Sequence, residues 1–348
     1  MLELFHIKNI IEQKFSTPDK ELFSFLKTWN DSDEEIQVET SGSTGNPKGI
    51  VINKKAMKNS ALATNDFFNL SEGSVFLHCL PTKYIAGKMM LIRCIQANGQ
   101  VVFSSSFSNP IENLDQHVDF CAMTPFQVAN SMKHSKDNFK WIKKLIIGGA
   151  SIDYSLEKEL KNLKTECFHT FGMTETVSHI AIRKINSSFT LNKYSCLDHV
   201  TVAKNENDQL IINAPEINVN SLVTNDIIDL VNNKTFIWKG RKDNIINSGG
   251  IKQHPELIET KLRTEISDFP FIIDKEPNKL LGEQIILIIK HKEKINFPTI
   301  NFNCLSRFEI PKKVYLIEDF IYTKNNKINR RETKEKALIL NMWYKPCQ

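Results

Sequence analysis

Apolar positions along the chain fall into two rhythms. Residues 9–29 place Ile10, Ile11, Phe15, Leu22, Phe23 and Phe25 at helical spacing, with Pro18 between them. That predicts an amphipathic helix interrupted at the proline. Ile36-Gln37-Val38-Glu39-Thr40 and Ile50-Val51-Ile52 read as strands on either side of a Gly/Ser/Thr loop, and a helix is predicted over about 54–68. Short apolar runs then alternate with helical patterns. Val75–Leu80 is a run ended by Pro81, a helix near 86–97 precedes a strand at 100–104, and a helix at 155–164 precedes a strand at 166–169. Leu145-Ile146-Ile147, closed by Gly148-Gly149, is another buried strand. This alternation predicts an α/β fold with a largely parallel sheet.

The rhythm changes after about residue 207. Leu210–Ile212, Ile227–Val231 and Thr235–Trp238 are short strands joined by polar turns, which reads as a small antiparallel region. From about 243 an α+β segment follows, with a helix near 255–266, a strand at Gln284–Ile289 and a final strand at Lys313–Ile317. The expected organisation is a core domain over 1–242 and a small swivelling domain over 243–348.

Composition changes this picture little. The 348 residues are 41% hydrophobic and 24% charged, as in ordinary globular proteins. A net charge of +5 suits an anionic small ligand and is too small to indicate a nucleic-acid binder. Seven scattered cysteines without a Cys-x-x-Cys pair read as buried, reduced thiols. The first fifteen residues carry Glu3, Lys8, Glu12 and Lys14, unlike a signal peptide, and no run reaches the roughly 18 apolar residues of a membrane span. A cytoplasmic protein is expected, and its oligomeric state is left open.

The stretch with the most chemistry is Thr40-Ser41-Gly42-Ser43-Thr44-Gly45-Asn46-Pro47-Lys48-Gly49. Its glycines allow backbone shapes that a Cβ forbids, and successive free N–H groups can form a concave anion site. Ser41, Ser43 and Thr44 add hydroxyl donors, and Lys48 adds a charge. The loop suits nucleotide phosphates. It is not a Walker A loop, because Lys48 leads into Gly49 and a strand, not into a helix. A flexible polar hairpin is the plainer alternative. Farther on, Phe171-Gly172-Met173-Thr174-Glu175 offers an aromatic and a glycine as a flat slot for a purine, with Glu175 able to hold Mg²⁺ against phosphate oxygens.

Both stretches resemble the signature motifs of the adenylate-forming superfamily: acyl-CoA synthetases, peptide-synthetase adenylation domains and luciferases. Others follow in family order. Gly148-Gly149-Ala150 resembles the backbone stretch lining the adenine and acyl pockets. Thr224-Asn225-Asp226 stands where the family has Thr-Gly-Asp, and Asn in place of Gly keeps a tolerance for positive φ. Gly240-Arg241-Lys242-Asp243 resembles the interdomain hinge, and Ser248-Gly249-Gly250 the glycine loop that swings toward the acyl site. Thr323-Lys324-Asn325-Asn326-Lys327 resembles the motif of the catalytic lysine, departing from it at the two asparagines.

The resemblance implies ATP, Mg²⁺ and coenzyme A. It assigns Lys327, Thr174 and Glu175 to catalysis, with Glu175 on the metal. It puts Thr40, Ser41, Gly42, Ser43, Thr44, Gly45, Lys48, Gly149, His169, Thr170, Phe171, Gly172, Asp226 and Arg241 against the nucleotide. Against the family pattern the core domain is expected to be shortened at its start, since the phosphate loop begins at residue 40.

Within the superfamily the chain looks most like compact o-succinylbenzoate–CoA ligases of menaquinone biosynthesis. Residues 80–93, Met123-Thr124-Pro125-Phe126-Gln127 and Gly172–Thr176 carry that likeness, with Tyr84 and Ala86 as departures. The acyl pocket is expected to use Tyr84, Lys88, Arg93, Thr124, Gly148, Gly249 and Gly250. Residues 81–93 contain no Asp to pair with an amino-acid ammonium. They offer Lys83, Lys88 and Arg93 instead, which suits a substrate with a second carboxylate. Another acyl- or aryl-CoA ligase, and a non-catalytic acyl-adenylate binder, are the alternatives.

Overall fold

The computed structural model describes residues 4–7, 10, 19–39, 49–186, 192–266, 269–291, 300–323 and 328–345. Thr40, Ser41, Gly42, Ser43, Thr44, Gly45, Lys48 and Lys327 lie outside the described residues, as does Cys347.

In chain order the first elements are β1 (Leu4–His6), α1 (Leu22–Asn30), β2 (Glu35–Glu39), β3 (Gly49–Asn53), α2 (Lys54–Phe68), β4 (Val75–His78), α3 (Ile85–Ala97) and β5 (Gln100–Phe103). Next come β6 (Val118–Met123), α4 (Pro125–His134), β7 (Ile142–Ile147), α5 (Tyr154–Leu160), β8 (Glu166–Gly172), β9 (His179–Lys184) and β10 (Lys193–Cys196). They are followed by β11 (Thr201–Lys204), β12 (Gln209–Ala214), β13 (Val219–Asn232), β14 (Thr235–Arg241), β15 (Ile246–Ser248), β16 (Ile251–Gln253) and α6 (Pro255–Leu262). Last are β17 (Phe271–Asn278), β18 (Gly282–Lys290), β19 (Lys313–Ile317), α7 (Arg330–Leu340) and β20 (Trp343–Tyr344).

One twelve-stranded sheet runs in the order β1-β5-β4-β6-β7-β8-β9-β10-β14-β13-β12-β11. Its middle, β5-β4-β6-β7-β8, is parallel, and every other pairing is antiparallel. The expectation of a largely parallel sheet therefore holds only there. A parallel pair needs a helical crossover, and after β8 the chain returns through short turns instead. The antiparallel strands after 207 are not a separate region either. They extend the same sheet, because β10 pairs with both β9 and β14.

In the parallel block, alternate side chains enter opposite cores. Phe76, Val101, Phe120, Ile146 and Phe168 lie on one face with Met57, Ala61 and Met89 of α2 and α3. Leu77, Val102, Cys121, Leu145, Ile147 and Cys167 lie on the other with Val128, Met132, Leu156 and Leu160 of α4 and α5. Both faces are buried, which is why these strands read as continuous apolar runs. Helix ends are set by local chemistry. Asn53 caps α2 by accepting from the Lys55 N–H, and Asn69 ends it at φ 51°, a conformation asparagine tolerates.

Several elements differ from the sequence reading. In α1 the buried residues are Leu22, Phe25 and Leu26, and Phe23 faces out. Strands β1, β6, β9, β10, β11, β15, β16 and β17 and helices α4 and α7 were not expected. β19 is not the last strand, since β20 pairs beside it after α7. Cys304 is exposed, while Cys79, Cys94, Cys121, Cys167 and Cys196 are buried free thiols.

A second sheet, β16-β15-β18-β19-β20 with β17 on β18, holds the C-terminal residues. Ile273, Ile285, Leu287, Ile289 and Val314 pack on α6, and Ile272, Ile286, Ile288 and Ile317 pack toward Ala337 of α7. Among the described residues no helix is long and apolar enough to cross a membrane.

Gly87 offers a test of the packing around α3. A Cβ there would sit 2.3 Å from the Pro81 carbonyl oxygen and 2.6 Å from that of Leu80. Helix propensity alone favours alanine by roughly 1 kcal/mol, but the clash is with backbone. Gly87→Ala is therefore expected to lose about 1–3 kcal/mol in urea unfolding. A variant as stable as the parent would disprove the close approach.

Candidate active site

The C-terminal ends of the parallel strands and the turns after them gather Thr124, Gly148, Gly149, His169, Thr170, Phe171, Gly172, Thr174 and Glu175. In an open α/β sheet this is where ligands bind, beyond the strand ends. Met123 pairs with Ile147, and Ile147 with His169, so Thr124, Gly148 and Thr170 follow side by side. Thr124 caps α4: its hydroxyl accepts from the Gln127 N–H, and the Gln127 side chain accepts from the Thr124 N–H. Pro125 at the first helical position completes that start. Gly148 must be glycine, because a Cβ would lie 2.3 Å from Thr170 Oγ1, which donates to the Ile147 carbonyl. Gly149 has φ +86°.

His169 Nε2 lies 3.1 Å from the Ala150 carbonyl, and Nδ1 lies 2.6 Å from the Tyr194 hydroxyl. A carbonyl only accepts, so Nε2 carries the proton and Nδ1 accepts from Tyr194. Burial, helped by the charge of Arg183, pushes the histidine pKa down to about 4. Phe171 leans on Tyr194 and Phe236, with ring centroids 5.6 and 5.3 Å away. These rings hold the strand end, Phe171-Gly172, in a fixed orientation.

Gly172 is forced by space too, since a Cβ would lie 2.4 Å from the Ser178 carbonyl oxygen. Thr174–Thr176 form one 3₁₀ turn, pinned as the Thr176 hydroxyl accepts from the Met173 N–H. Val177 follows at φ 64°, a conformation that a β-branched residue rarely adopts. Such strain is found where the surroundings over-determine a functional turn. Glu175 is exposed at this turn and Thr174 is half-buried. Among the described residues there is no group of three or more His, Cys, Asp or Glu able to hold a metal. An Mg²⁺ ion on Glu175 would thus take its remaining oxygens from nucleotide phosphate, as a hard cation with few protein ligands does.

Asp226 and Arg241 face each other across β13 and β14. Asp226 is 4% exposed; its carboxylate accepts from the Trp238 indole at 2.9 Å and from Arg241 at 3.3 Å. Asn225 lies within β13 and is not among the positive-φ residues, so the asparagine needs no left-handed turn. Beyond Arg241, Glu256 at the start of α6 grips the connection. Its Oε1 accepts from Asn244 Nδ2 at 2.6 Å and from the Arg241 N–H at 3.4 Å. Gly249 and Gly250, both at positive φ, form the two-residue turn of the β15–β16 hairpin, where Ser248 pairs with Ile251. Their placement is accounted for by that turn.

On α3 the two expected cations part company. Lys88 sits over the Phe25 ring and donates to the Thr82 carbonyl, which ties its ammonium to the turn that starts the helix. Arg93 is 2% exposed, donates to Ser178 Oγ at 2.5 Å and leaves its Nε buried without a partner. No carboxylate among the described residues forms an ion pair with it. Tyr84 precedes α3, half-buried. The sequence reading missed Tyr194, Trp238, Glu256 and His179. Tyr194, Trp238 and Glu256 act through partners 12 or more residues away, and His179, although beside Ser178, also meets Thr64 115 residues away, so no local spacing announces them.

The His169 environment has a measurable consequence. The ring is neutral when folded and has an ordinary pKa of 6.5 when unfolded. As pH falls from 6.5 toward 4 the unfolded chain takes up the proton first, so this group removes stability across that window. His169→Gln is expected to flatten the slope of unfolding free energy against pH between 4 and 6.5, by at least 1 kcal/mol over the window. An unchanged slope would show a solvated, normally titrating ring.

Comparison with known proteins bears on the family and the fold. The sequence profile of the AMP-binding enzyme family matches residues 39–207. Among curated relatives, the 2-succinylbenzoate–CoA ligase of Listeria monocytogenes is 23% identical over 89% of this chain and 72% of its own length. That of Staphylococcus epidermidis is 24% identical over 86% of this chain and 69% of its own. Among solved structures, an acyl-CoA synthetase (AMP-forming)/AMP-acid ligase II-like protein from Dyadobacter fermentans is 28% identical. It aligns over 97% of this chain and 100% of its own, with a TM-score of 0.66. The o-succinylbenzoate CoA synthetase of Bacillus subtilis in complex with its acyl-adenylate intermediate shares the fold at 20% identity. Its TM-score is 0.70, over 86% of this chain and 68% of its own. Family profile, relatives and fold together make this chain similar to AMP-binding enzymes over residues 39–207, and similar to acid–CoA ligases over most of its length.

Proposed function

We propose that this chain is an acid–thiol ligase that uses ATP, Mg²⁺ and coenzyme A and activates o-succinylbenzoate, forming the acyl-adenylate and then the coenzyme A thioester. The observation that carries the choice of acid is Arg93: a buried guanidinium on the helix after the Pro81 turn, with no carboxylate partner among the described residues. Burial alone lowers its pKa to about 9, so it stays charged at neutral pH. An isolated buried charge is costly unless paired. A substrate with two carboxylates supplies the pair: one reacts and the other meets Arg93. The curated relatives named as 2-succinylbenzoate–CoA ligases support the same acid.

The reaction on this reading has two halves. The substrate carboxylate attacks the α-phosphorus of ATP and expels pyrophosphate, and the coenzyme A thiol then attacks the acyl carbon and releases AMP. No protein nucleophile is needed. The chain's contribution is position and charge. The 40–48 loop would hold phosphates, Phe171-Gly172 would flank the base, Asp226 would accept from the ribose hydroxyls, and Lys327 would bridge carboxylate and α-phosphate. Mg²⁺ at Glu175 would neutralise phosphate charge. The same reading places a core domain over 1–242, a small domain over 243–348 that swivels near Asp243 between the two halves, and a cytoplasmic location.

Two variants test it. Arg93→Ala is expected to lower kcat/KM for o-succinylbenzoate by roughly 10- to 150-fold, the worth of a buried charge-assisted hydrogen bond. Affinity for ATP should hold, and benzoate-type monoacids should hardly respond. A uniform loss across diacids and monoacids in a pyrophosphate-exchange panel would make Arg93 structural and remove the case for this acid. Lys327→Ala is expected to cut adenylation by at least about 100-fold, on the scale of removing one preorganised transition-state contact. Thiol transfer from preformed acyl-adenylate should be largely spared, and equal loss of both halves would refute the role of Lys327.

A further inference from the structure

Behind Arg93 stands a row of polar side chains that the reaction scheme does not use. Ser178 Oγ, which receives the Arg93 N–H, lies 3.4 Å from His179 Nδ1. On the far side of the ring, His179 Nε2 lies 3.4 Å from Thr64 Oγ1 of α2, and Thr64 Oγ1 lies 3.0 Å from the Ser60 carbonyl oxygen. His179 is 6% exposed, and Thr64 is wholly buried. A separate contact, Asn65 Nδ2 to the Arg93 carbonyl at 2.9 Å, ties α2 to the same turn of α3.

The two ends of the row set the direction of all but one of its hydrogen bonds. A guanidinium only donates, and a backbone carbonyl only accepts. Arg93 therefore gives its N–H to Ser178 Oγ, whose own hydroxyl proton is free to go to an unprotonated His179 Nδ1. At the other end Thr64 gives its proton to the Ser60 carbonyl, so its oxygen accepts from His179 Nε2–H. The proton on Nε2 is thereby placed, and in the neutral ring Nδ1 accepts from Ser178. Ser178 Oγ has a second lone pair and could also accept from a protonated Nδ1, so it is burial that keeps the ring neutral.

We propose that His179 is a positioning residue for substrate choice: through Ser178 it fixes the Arg93 guanidinium, so that the remaining donors stand ready for the second carboxylate of the acid. The role rests on the assignment of a dicarboxylic substrate made above. Its physical logic is preorganisation. A buried arginine with several rotatable bonds binds a carboxylate well only if it does not have to be ordered first. The ring itself touches no reacting atom. Its surroundings also keep it neutral: burial, the Arg93 charge and His199 all push its pKa well below the ordinary value.

The test has three arms on the full chain. The ¹⁵N shifts of the His179 ring in the wild-type protein should report a neutral, Nε2-protonated imidazole at pH 7. A charged ring, or the Nδ1–H tautomer, overturns the hydrogen-bond row whatever the substrate is. His179→Ala should raise KM for o-succinylbenzoate about five- to tenfold, the worth of one buried hydrogen bond, with kcat and the KM for ATP nearly unchanged. His179→Gln, which has both a donor and an acceptor, should recover most of that loss. Ser178→Ala should reproduce the alanine effect even if His179→Ala fails to fold. Equal losses for the diacid and for a benzoate-type monoacid, or no rescue by glutamine, would make the histidine merely structural. Absence of any diacid preference in the wild-type enzyme would instead overturn the substrate assignment, and the role of His179 with it, while leaving the ring's tautomer to be read independently.

Discussion

The structure depends on burying both faces of five parallel strands. Once Phe76 and Leu77, Phe120 and Cys121, or Ile146 and Ile147 go to opposite cores, neither face of the sheet can meet a polar ligand. Chemistry is confined to the strand ends, where the backbone leaves the ladder and can turn its groups outward. The glycines at those ends follow from the crowding there. Gly148 and Gly172 each occupy space that a methyl group would share with Thr170 or Ser178. The site is thus a product of packing first and of side-chain identity second.

Much of this was legible in the sequence because it is local. The helix over Lys54–Phe68 and the strands Gly49–Asn53, Gln100–Phe103 and Lys313–Ile317 announce themselves through runs of a few residues. Phe171–Glu175 is likewise a single short stretch. What escaped reading depends on long-range pairing. Nothing near Lys193–Cys196 says that it joins β9 to β14, and so that the late strands extend the main sheet. Strand Val118–Met123 begins with Asp119 inside an apolar run, where the carboxylate accepts from the Val75 N–H of a neighbouring strand. Lys88 and Arg93 look equivalent in sequence. Only the packing shows one spent on a turn and the other buried with donors to spare.

The electrostatics around the site have a common theme. His169 and His179 are both held neutral, and in each case burial is the leading cause. Arg183 forms its ion pair with Glu157, bonded at 2.7 and 3.1 Å, while Arg93 has no such partner. A neutral lining with one uncompensated cation is an environment that accepts a single negative charge and resists a second cation. That differs from the turn after β8, where Glu175 is exposed.

The grip of Glu256 on the strand end of β14 reaches beyond the contacts themselves. Gly240 has φ +144°, and a Cβ there would fall 2.2 Å from Glu256 Oε2. The two positions therefore cannot drift independently over evolutionary time. A side chain at 240 would meet residue 256 on top of the strain of that φ, and shortening residue 256 would release Asn244 and the Arg241 N–H together. In related chains glycine should therefore persist at 240 wherever a glutamate stands at 256, so a side chain at 240 would mark a lineage in which this connection has been rebuilt.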